Sequence, residues 1–116
     1  MTIFIVEDDS AVADALSALV ADEGVSVRVF PTAESFMAAG PPGSGDVVVV
    51  DLGLPGMTGR ETLRWLRRLG DPPRTVVISG KSEREIQRET EGLGISGILR
   101  KPPSLDWLLA IRAGVV

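Results

Sequence analysis

The amino-acid sequence predicts an α/β fold, in which helices cover both faces of a parallel β-sheet. Three observations lead to this prediction. Short runs rich in Val and Ile recur five times along the chain, and a segment with a helical pattern follows each run. Several runs are almost continuously apolar, as expected of strands covered on both faces. Strands and helices that alternate in this way form parallel sheets through right-handed crossovers.

The predicted strands are the apolar runs Ile3–Val6, Val25–Phe30, Val47–Val50, Thr75–Ile78 and Ile95–Leu99. The segments that follow them carry apolar residues at helical spacing, and most begin with a residue that can cap a helix. The predicted helices are Ser10–Glu23, Thr32–Ala39, Thr58–Leu69, Ser82–Leu93 and Ser104–Ala113. Asp9 or Ser10 can cap the first helix, while Gly24 and Gly70 can end the first and the third.

Two of the predicted helices have unusual surfaces. Ser82–Leu93 offers only Ile86, Thr90 and Leu93 to a core, which predicts a thin, mostly solvated helix of low intrinsic stability. The last helix carries apolar residues on more than one side, namely Leu105, Trp107, Leu108, Leu109 and Ile111. It is either well buried or part of a dimer or partner interface, and the sequence leaves both alternatives open.

The expected strand order is 2-1-3-4-5, the flavodoxin-like arrangement in which the first and third strands are neighbours. The chain has 116 residues, which suits one domain and allows a core without disulfides. We therefore expect residues 1–116 to form one domain, with no output domain in this chain.

The composition excludes several classes of protein. Without Cys or His, the chain has no disulfide, no thiolate or imidazole metal ligand, and no Ser–His or Cys–His catalytic pair. A metal site must therefore use oxygen ligands, which suits hard cations such as Mg²⁺. The net charge of −4 argues against direct nucleic-acid binding. Because the sequence lacks a membrane-spanning or signal-peptide pattern, we expect a cytoplasmic protein without membrane contact.

Polar side chains follow the predicted strands at one edge of the sheet. The first strand leads to Glu7-Asp8-Asp9, the third to Asp51, the fourth to Ser79-Gly80 and the fifth to Arg100-Lys101-Pro102. In open parallel sheets, ligands bind at the carboxyl ends of the strands, where the strand order reverses. We therefore expect these groups to converge on one site.

The residue types at this edge favour phosphoryl chemistry. Neighbouring carboxylates raise each other's pKa, and a divalent cation removes the conflict between them. Mg²⁺ typically binds one or two carboxylates together with waters and phosphate oxygens. Lys101 and Ser79 bring an ammonium and a hydroxyl, which suit a phosphoryl group. Each acidic residue alone is usually a helix cap or a solvated loop residue, so the prediction depends on the whole constellation.

Four motifs occur in a fixed order along the chain, namely Ile5–Asp9, Val50–Gly59, Val77–Gly80 and Leu99–Pro102. Through these motifs, essentially the whole chain resembles the receiver domain of two-component response regulators. The pattern Asp51-x-x-x-Pro-x-Met-x-Gly with a later Lys-Pro is a specific signal, whereas any one motif alone is weak.

The resemblance implies a role for each matching residue. Asp51 matches the aspartate that accepts a phosphoryl group, and Glu7 and Asp8 match the acidic pair that holds Mg²⁺. This pair is preferred over one placed a residue later, because Val12 then falls where the family has its first core residue of the next helix. Asp51 and the backbone carbonyl of Gly53 complete the implied metal site, and Gly53 also lies beside the phosphoryl group.

The remaining implied roles concern the phosphoryl group and the output switch. Ser79 matches the hydroxyl residue that bonds the phosphoryl group, with Gly80 beside it, and Lys101 matches the lysine that pairs with it. The Lys101–Pro102 peptide bond is typically cis in this family. The switch pairs Ser79 with Ile98, which stands where the family usually has an aromatic residue or His. Ile98 either mutes this switch or packs as an ordinary strand residue.

The implied activity is Mg²⁺-dependent acceptance of a phosphoryl group on Asp51 from a sensor histidine kinase or a phosphotransfer protein. The chain is expected not to be an enzyme beyond its own phosphorylation and dephosphorylation. Because its residues include no His, the phosphohistidine lies outside them. Phosphorylation would alter the surface from the fourth strand to the last helix, and so control a partner or an output domain outside this chain. A homodimer through the last helix is a further alternative.

Three rival interpretations compete with this one. Gly40–Gly45 resembles the start of a phosphate-binding P-loop, but Asp46 stands where that motif needs Lys. A phosphatase of the haloacid dehalogenase type needs a second Asp two residues after its nucleophile, where this chain has Gly53. An interaction module that works without phosphorylation stays open, because the switch residues depart from the family pattern.

Overall fold

A computed structural model describes residues 1–22 and 24–116 of the chain. In this part of the chain, strands and helices alternate five times, as the sequence predicts. The strands are β1 (Thr2–Val6), β2 (Ser26–Phe30), β3 (Val47–Asp51), β4 (Arg74–Ser79) and β5 (Gly97–Arg100). The helices are α1 (Ser10–Val20), α2 (Ala33–Ala38), α3 (Gly59–Arg67), α4 (Glu83–Thr90) and α5 (Leu105–Arg112).

The strands form one parallel sheet in the order β2-β1-β3-β4-β5, which confirms the predicted topology. β1 lies between β2 and β3, and every residue of β3 is buried at the centre of the sheet. A continuous run of Val at this position is expected, because helices cover both faces of the sheet. The order brings the end of β1 beside the end of β3, where the acidic residues lie.

The sheet divides the apolar core into two layers, because alternate strand residues point to opposite faces. One layer joins the sheet to α2, α3 and α4 through Val48, Val50, Phe36, Leu63, Leu66 and Ile86. The other joins it to α1 and α5 through Val47, Val49, Leu16 and Trp107. Both layers fix the strand ends that carry the polar residues.

Three strands extend one residue beyond their predicted ends. Asp51, Ser79 and Arg100 are the last residues of β3, β4 and β5, and they pair within the sheet. The pairing is made by backbone groups, so the end of an apolar run does not mark the end of the strand. The functional consequence is that Asp51 and Ser79 are held by the sheet instead of by a loop.

Helix α1 ends before the predicted boundary at Glu23, a residue that lies outside the described part of the chain. The helix stops at Val20 because Ala21 adopts an extended conformation, with φ −61° and ψ 127°. Gly24, predicted to end this helix, lies instead in the turn before β2, with φ 78°. At the other end, Asp9 rather than Ser10 is the N-cap.

Helices α3 and α4 are also shorter than predicted. Helix α3 ends at Arg67 with Arg68 as its C-cap, so Gly70 does not end it. Helix α4 ends at Thr90, and Leu93 reaches the core from the turn that follows. A residue after a helix can still pack against the core, so apolar spacing overestimates helix length. The prediction of a mostly solvated α4 is confirmed, since Ile86 and Thr90 are its buried residues.

The last helix buries one of its apolar sides and exposes another. Trp107 is the buried residue of α5, and its indole N–H donates to the carbonyl oxygen of Arg100 at 2.6 Å. Leu105 and Leu109 point outward and are 68% and 55% exposed. The large ring of Trp107 fills the space under the helix, whereas Leu105 and Leu109 face solvent. Within the described residues, no helix has the length and apolar character needed to span a membrane.

Candidate functional site

The end of β1 delivers a buried carboxylate to the edge of the sheet. The backbone N–H of Glu7 donates to the carbonyl oxygen of Phe30 at 3.0 Å, so Glu7 continues the line of the strand. Its side chain is buried, whereas Asp8 is exposed. The Asp9 carboxylate accepts the N–H groups of Ala11 and Val12 and caps α1. The Asp9 carboxylate therefore serves as the cap of α1, which leaves Glu7 and Asp8 as the carboxylates of the site.

Asp51 is the second buried carboxylate. It is 3% exposed at the end of β3, where it lies opposite Ile78 of β4. Its Oδ1 accepts the backbone N–H of Gly53 at 2.9 Å, and its Oδ2 accepts from the Lys101 ammonium at 3.0 Å. Both carboxylate oxygens therefore have partners that fix the orientation of the group.

Glu7, Asp8 and Asp51 form a cluster that suits a metal ion. Each contributes a carboxylate oxygen, and these oxygens all lie within 4.8 Å of one another. Oε2 of Glu7 is buried and has no hydrogen-bond partner within the described residues. A buried oxygen without a partner is costly, and a cation would satisfy it. An all-oxygen ligand set of this kind fits a hard divalent cation.

Lys101, the residue directly after β5, enters the same cluster. Its Nζ donates to Oδ2 of Asp51 at 3.0 Å and to Oε1 of Glu7 at 3.2 Å. Its backbone N–H donates to the carbonyl oxygen of Ser79, and its peptide bond to Pro102 is cis, as the resemblance implies. One ammonium thus neutralises part of the charge of two buried carboxylates.

Burial and the neighbouring charges shift the pKa values of Glu7 and Lys101. Burial raises the pKa of Glu7 from its usual 4.5 to about 7, and the Asp51 carboxylate adds to the rise. The N–H of Asp9 and the Lys101 ammonium oppose it. Burial disfavours the charged form of Lys101, but hydrogen bonds and attraction to Asp51 and Glu7 outweigh it and raise the pKa of Lys101. A raised pKa means that the ionised form of Glu7 is disfavoured, and a divalent cation bound beside it would favour that form.

Ser79 and the two predicted glycines surround these charges. Ser79 is buried at the end of β4, and its Oγ accepts the N–H of Lys81 at 3.0 Å. A Cβ on Gly53 would lie 3.5 Å from Oδ1 of Asp51, and one on Gly80 would lie 3.7 Å from the Cβ of Lys101. The glycines therefore border Asp51 and Lys101 without a side chain that covers them.

Ile98 lies on the surface of β5 instead of among the charged groups. It pairs with Val77 of β4 and is 36% exposed, whereas its neighbour Leu99 is buried. Its position in the strand agrees with an ordinary strand residue, but its side chain is not enclosed by the core. Its role in a switch stays a prediction.

Sequence reasoning missed three residues that hold the surroundings of the site. Glu34 of α2 accepts the N–H of Met57 at 3.2 Å and supports the loop that follows Asp51. The Arg60 guanidinium of α3 donates to the carbonyl oxygen of Glu89 in α4. Glu89 also pairs with Lys81. The partners in these contacts lie 8 to 29 residues apart in the sequence, so no short motif marks them.

The comparison with known families decides the identity of the domain. The sequence model described as the response regulator receiver domain matches residues 3–112. The chain belongs to this family. A receiver domain is the module that carries the signal in two-component systems, and the resemblance inferred from the four motifs is thereby confirmed.

Curated proteins similar to this receiver domain are response regulators. The transcriptional regulatory protein FixJ of Azorhizobium caulinodans is 29% identical over 116 residues, which cover 99% of this chain and 55% of FixJ. The response regulator protein TodT of Pseudomonas putida is 32% identical over 114 residues, with coverage of 97% and 50%. The receiver domain thus spans about half the length of the curated relatives that it matches.

A solved structure confirms the fold independently of the motifs. The chemotaxis response regulator CheY4 of Vibrio cholerae superimposes with a TM-score of 0.80 at 22% sequence identity. The match covers 99% of this receiver domain and 98% of the CheY4 chain. The flavodoxin-like arrangement of sheet and helices is therefore shared over the full length of both chains.

Proposed function

We propose that this receiver domain accepts a phosphoryl group on Asp51 in a reaction that depends on Mg²⁺. The observation that carries the proposal is the contact between the Lys101 ammonium and Oδ2 of Asp51, at 3.0 Å, beside a cluster of three carboxylates. A buried carboxylate held between a cation site and an ammonium is suited to nucleophilic attack on phosphorus.

The chemistry transfers the phosphoryl group from a phosphohistidine of a partner to this chain. A carboxylate oxygen of Asp51 attacks phosphorus, and the new O–P bond forms as the bond between phosphorus and the donor's imidazole nitrogen breaks. The electron pair of the broken bond leaves with the imidazole, which is protonated by solvent. Lys101 offsets negative charge on the phosphoryl oxygens, and positioning and electrostatics of this kind account for most of the catalysis of phosphoryl transfer.

The carboxylates of Glu7, Asp8 and Asp51, together with the backbone carbonyl of Gly53, would hold the Mg²⁺ ion. When bound, the ion supplies positive charge that offsets the phosphoryl oxygens and the repulsion between the carboxylates. The unpartnered Oε2 of Glu7 and the raised pKa of this group support such an ion, because a cation favours the ionised carboxylate.

Ser79 is the group that carries the change outward. Its hydroxyl would donate to the phosphoryl group, and the turn that follows β4 would move with it. The altered surface runs from this turn and α4 to α5, and it controls a partner or an output domain outside this chain. An acyl phosphate adds negative charge and strong acceptors, which is sufficient to reorganise a nearby loop.

The partner that this function requires is a sensor histidine kinase or a phosphotransfer protein in the cytoplasm. Direct contact with nucleic acid or membrane is not part of the proposal. The domain is not an enzyme acting on a separate substrate, since its chemistry is limited to its own phosphorylation and dephosphorylation. A homodimer through α5 is a further part of the proposal, because Leu105 and Leu109 form an exposed apolar pair one turn apart.

The test is the intact mass of the protein after incubation with acetyl phosphate, with and without Mg²⁺. The wild type is expected to gain one phosphoryl group only when Mg²⁺ is present. Asp51→Asn should abolish the gain, because the amide is not a nucleophile. Asp71→Asn is the matched control, since Asp71 is exposed in the turn before β4 and should leave the gain unchanged.

Sampling at early times separates a short-lived acyl phosphate from an absent one. If folded wild-type protein gains no phosphoryl group at any early time, the proposal is wrong. In that case an interaction module that works without phosphorylation becomes the better explanation. Its partner binding would then be unaffected by Asp51→Asn.

A further inference from the structure

The turn between β4 and α4, residues 80–82, is held by side chains from outside it. Its first partner is Ser79, whose hydroxyl oxygen accepts the N–H of Lys81 at 3.0 Å. The Arg100 guanidinium of β5 donates to the carbonyl oxygen of Lys81 at 3.1 Å. The Ser79 oxygen and the Arg100 guanidinium therefore hold the two backbone groups of Lys81.

Glu89, in the last turn of α4, binds the side-chain ammonium of Lys81. Its Oε1 accepts from the Lys81 ammonium at 2.8 Å, so the ion pair runs along the length of the short helix. The carbonyl oxygen of the same residue accepts from Arg60 of α3. A carbonyl in the last turn of a helix has no partner within the helix, so Arg60 supplies the missing donor.

Lys81, Glu89 and Arg60 thus form a chain of contacts, here called the α4 clamp. It links α3, which follows the Asp51 loop, to the turn that bonds Ser79. In this structure Asp51 bonds Gly53 and Lys101, while the Ser79 oxygen is engaged by the turn. The clamp is therefore compatible with the arrangement in which the Ser79 oxygen accepts a hydrogen bond from the turn, while the Asp51 carboxylate has other partners.

We infer that the α4 clamp holds Ser79 in the resting orientation, and that Lys81 and Glu89 are positioning residues that oppose phosphorylation of Asp51. The inference rests on the proposed function, since it assigns a role in that reaction. When the Ser79 hydroxyl turns to a phosphoryl group, the turn shifts and the ion pair between Lys81 and Glu89 is released.

The clamp is weak enough to be released by such a change. The side chains of Lys81 and Glu89 are 34% and 32% exposed, so solvent screens their attraction. Oε2 of Glu89 is buried and has no hydrogen-bond partner in the described part of the chain, which lowers the net benefit of the contact. A weak ion pair of this kind can favour one of two arrangements of a turn and still allow the other.

The first test measures the clamp in the resting protein and does not require phosphorylation. Glu89→Gln removes the charge with little change of shape, and it should speed hydrogen exchange at the Lys81 amide about twofold to fivefold. Glu91→Gln is the matched control, because Glu91 caps the same helix and its side chain has no hydrogen bond or ion pair among the described residues. It should leave this exchange rate unchanged.

The second test measures the preference for the phosphorylated arrangement with beryllofluoride, which mimics a phosphoryl group on a carboxylate. In the presence of Mg²⁺, an NMR titration should show half-saturation of Glu89→Gln at about twofold to fivefold less beryllofluoride than of the wild type. Glu91→Gln should match the wild type. The thermal midpoint of each variant verifies that it is folded.

The outcomes separate the clamp from the proposed function. Unchanged exchange at Lys81 in Glu89→Gln overturns the clamp. If exchange at the Lys81 amide is faster in Glu89→Gln but beryllofluoride binding is unchanged or weaker, the clamp does not oppose phosphorylation. The clamp is then a structural contact only. If the folded wild type and both folded variants fail to bind beryllofluoride, the proposed function is wrong. The positioning role of the clamp in that function is then wrong as well.

Discussion

Glu7 is an acidic side chain buried in the protein, and its burial makes the free energy of unfolding depend on pH. Burial raises its pKa from 4.5 to about 7 in the folded protein. Between these two values, the folded state binds a proton that the unfolded state has lost. The free energy of unfolding therefore falls as the pH rises from about 4.5 to about 7. The full loss is on the order of 3 kcal/mol, at about 1.4 kcal/mol per pKa unit.

Glu7→Gln should remove this loss when divalent cations are absent. We expect the variant to be more stable than the wild type at pH 8, by up to about 3 kcal/mol, and the two to converge near pH 4. Urea denaturation across this range, in the presence of a chelator, measures the difference. Added Mg²⁺ should stabilise the wild type at pH 8 more than the variant.

Asp71→Asn is the control for a general effect of removing an acidic group, because Asp71 is exposed. Its stability should follow the wild-type pH dependence. Parallel curves for Glu7→Gln and the wild type would show that Glu7 does not carry the excess proton.

At the scale of elements, the start of α3 fixes the backbone of the acceptor residue. Gly59 is the first residue of α3, and a Cβ there would lie 2.6 Å from the carbonyl oxygen of Asp51 and 2.7 Å from the Cα of Leu52. Both are backbone atoms, which cannot move aside as a flexible side chain can. The close approach of helix and strand end is therefore possible only with glycine.

Gly59→Ala should destabilise the domain by about 1–3 kcal/mol and slow phosphoryl acceptance, because the clash displaces Asp51. Gly70→Ala is the matched control, since a Cβ at Gly70 meets no atom within 4 Å in the described residues. Its change in stability should stay within about 0.5 kcal/mol. Equal stability of the two variants in urea denaturation would contradict the packing argument.

Most strands and helices could be predicted from the sequence, but the end of one helix could not. The strands and their order were predictable, because runs such as Val47–Val50 are typical of strands buried on both faces. Glu7 and Asp51 could be placed at one edge because parallel strands bring their carboxyl ends together. The end of α1 could not be placed, since Ala21 leaves the helix through its backbone angles and no residue type marks it.

Contacts between distant segments were the least predictable part of the site. Lys101 could be assigned to the site by its position after the fifth strand, but its contact with Glu7, 94 residues away, depends on the packing of the whole sheet. The pair of Lys81 and Glu89 joins the turn before α4 to the last turn of that helix, eight residues later, which is not a helical i,i+4 spacing. The outward leucines of α5 were not predictable, because a helix that is apolar on several sides has no single expected buried face.

At the scale of the whole molecule, the two layers of helices leave one apolar pair uncovered. Leu105 and Leu109 of α5 are the most exposed Leu side chains among the described residues. Light scattering should detect a concentration-dependent dimer of the phosphorylated wild type, because an exposed apolar pair of this kind favours association. Replacing both leucines with Ser should weaken this dimer.

The control for this prediction is Val29→Ser, which removes an exposed apolar side chain from β2 at the other edge of the sheet. It should leave the dimer unchanged. A monomer at all concentrations, with and without phosphorylation, would contradict dimerisation through α5.

The proposed function requires that Asp51 is the residue that accepts the phosphoryl group. Borohydride reduces an acyl phosphate to an alcohol, so peptide mass analysis after treatment with acetyl phosphate, Mg²⁺ and borohydride locates the modified side chain. Residue 51 is expected to be the only reduced residue, and no reduction is expected when Mg²⁺ is chelated. Reduction at Glu7, Asp8 or another carboxyl group, or at none in early samples of folded protein, would contradict it.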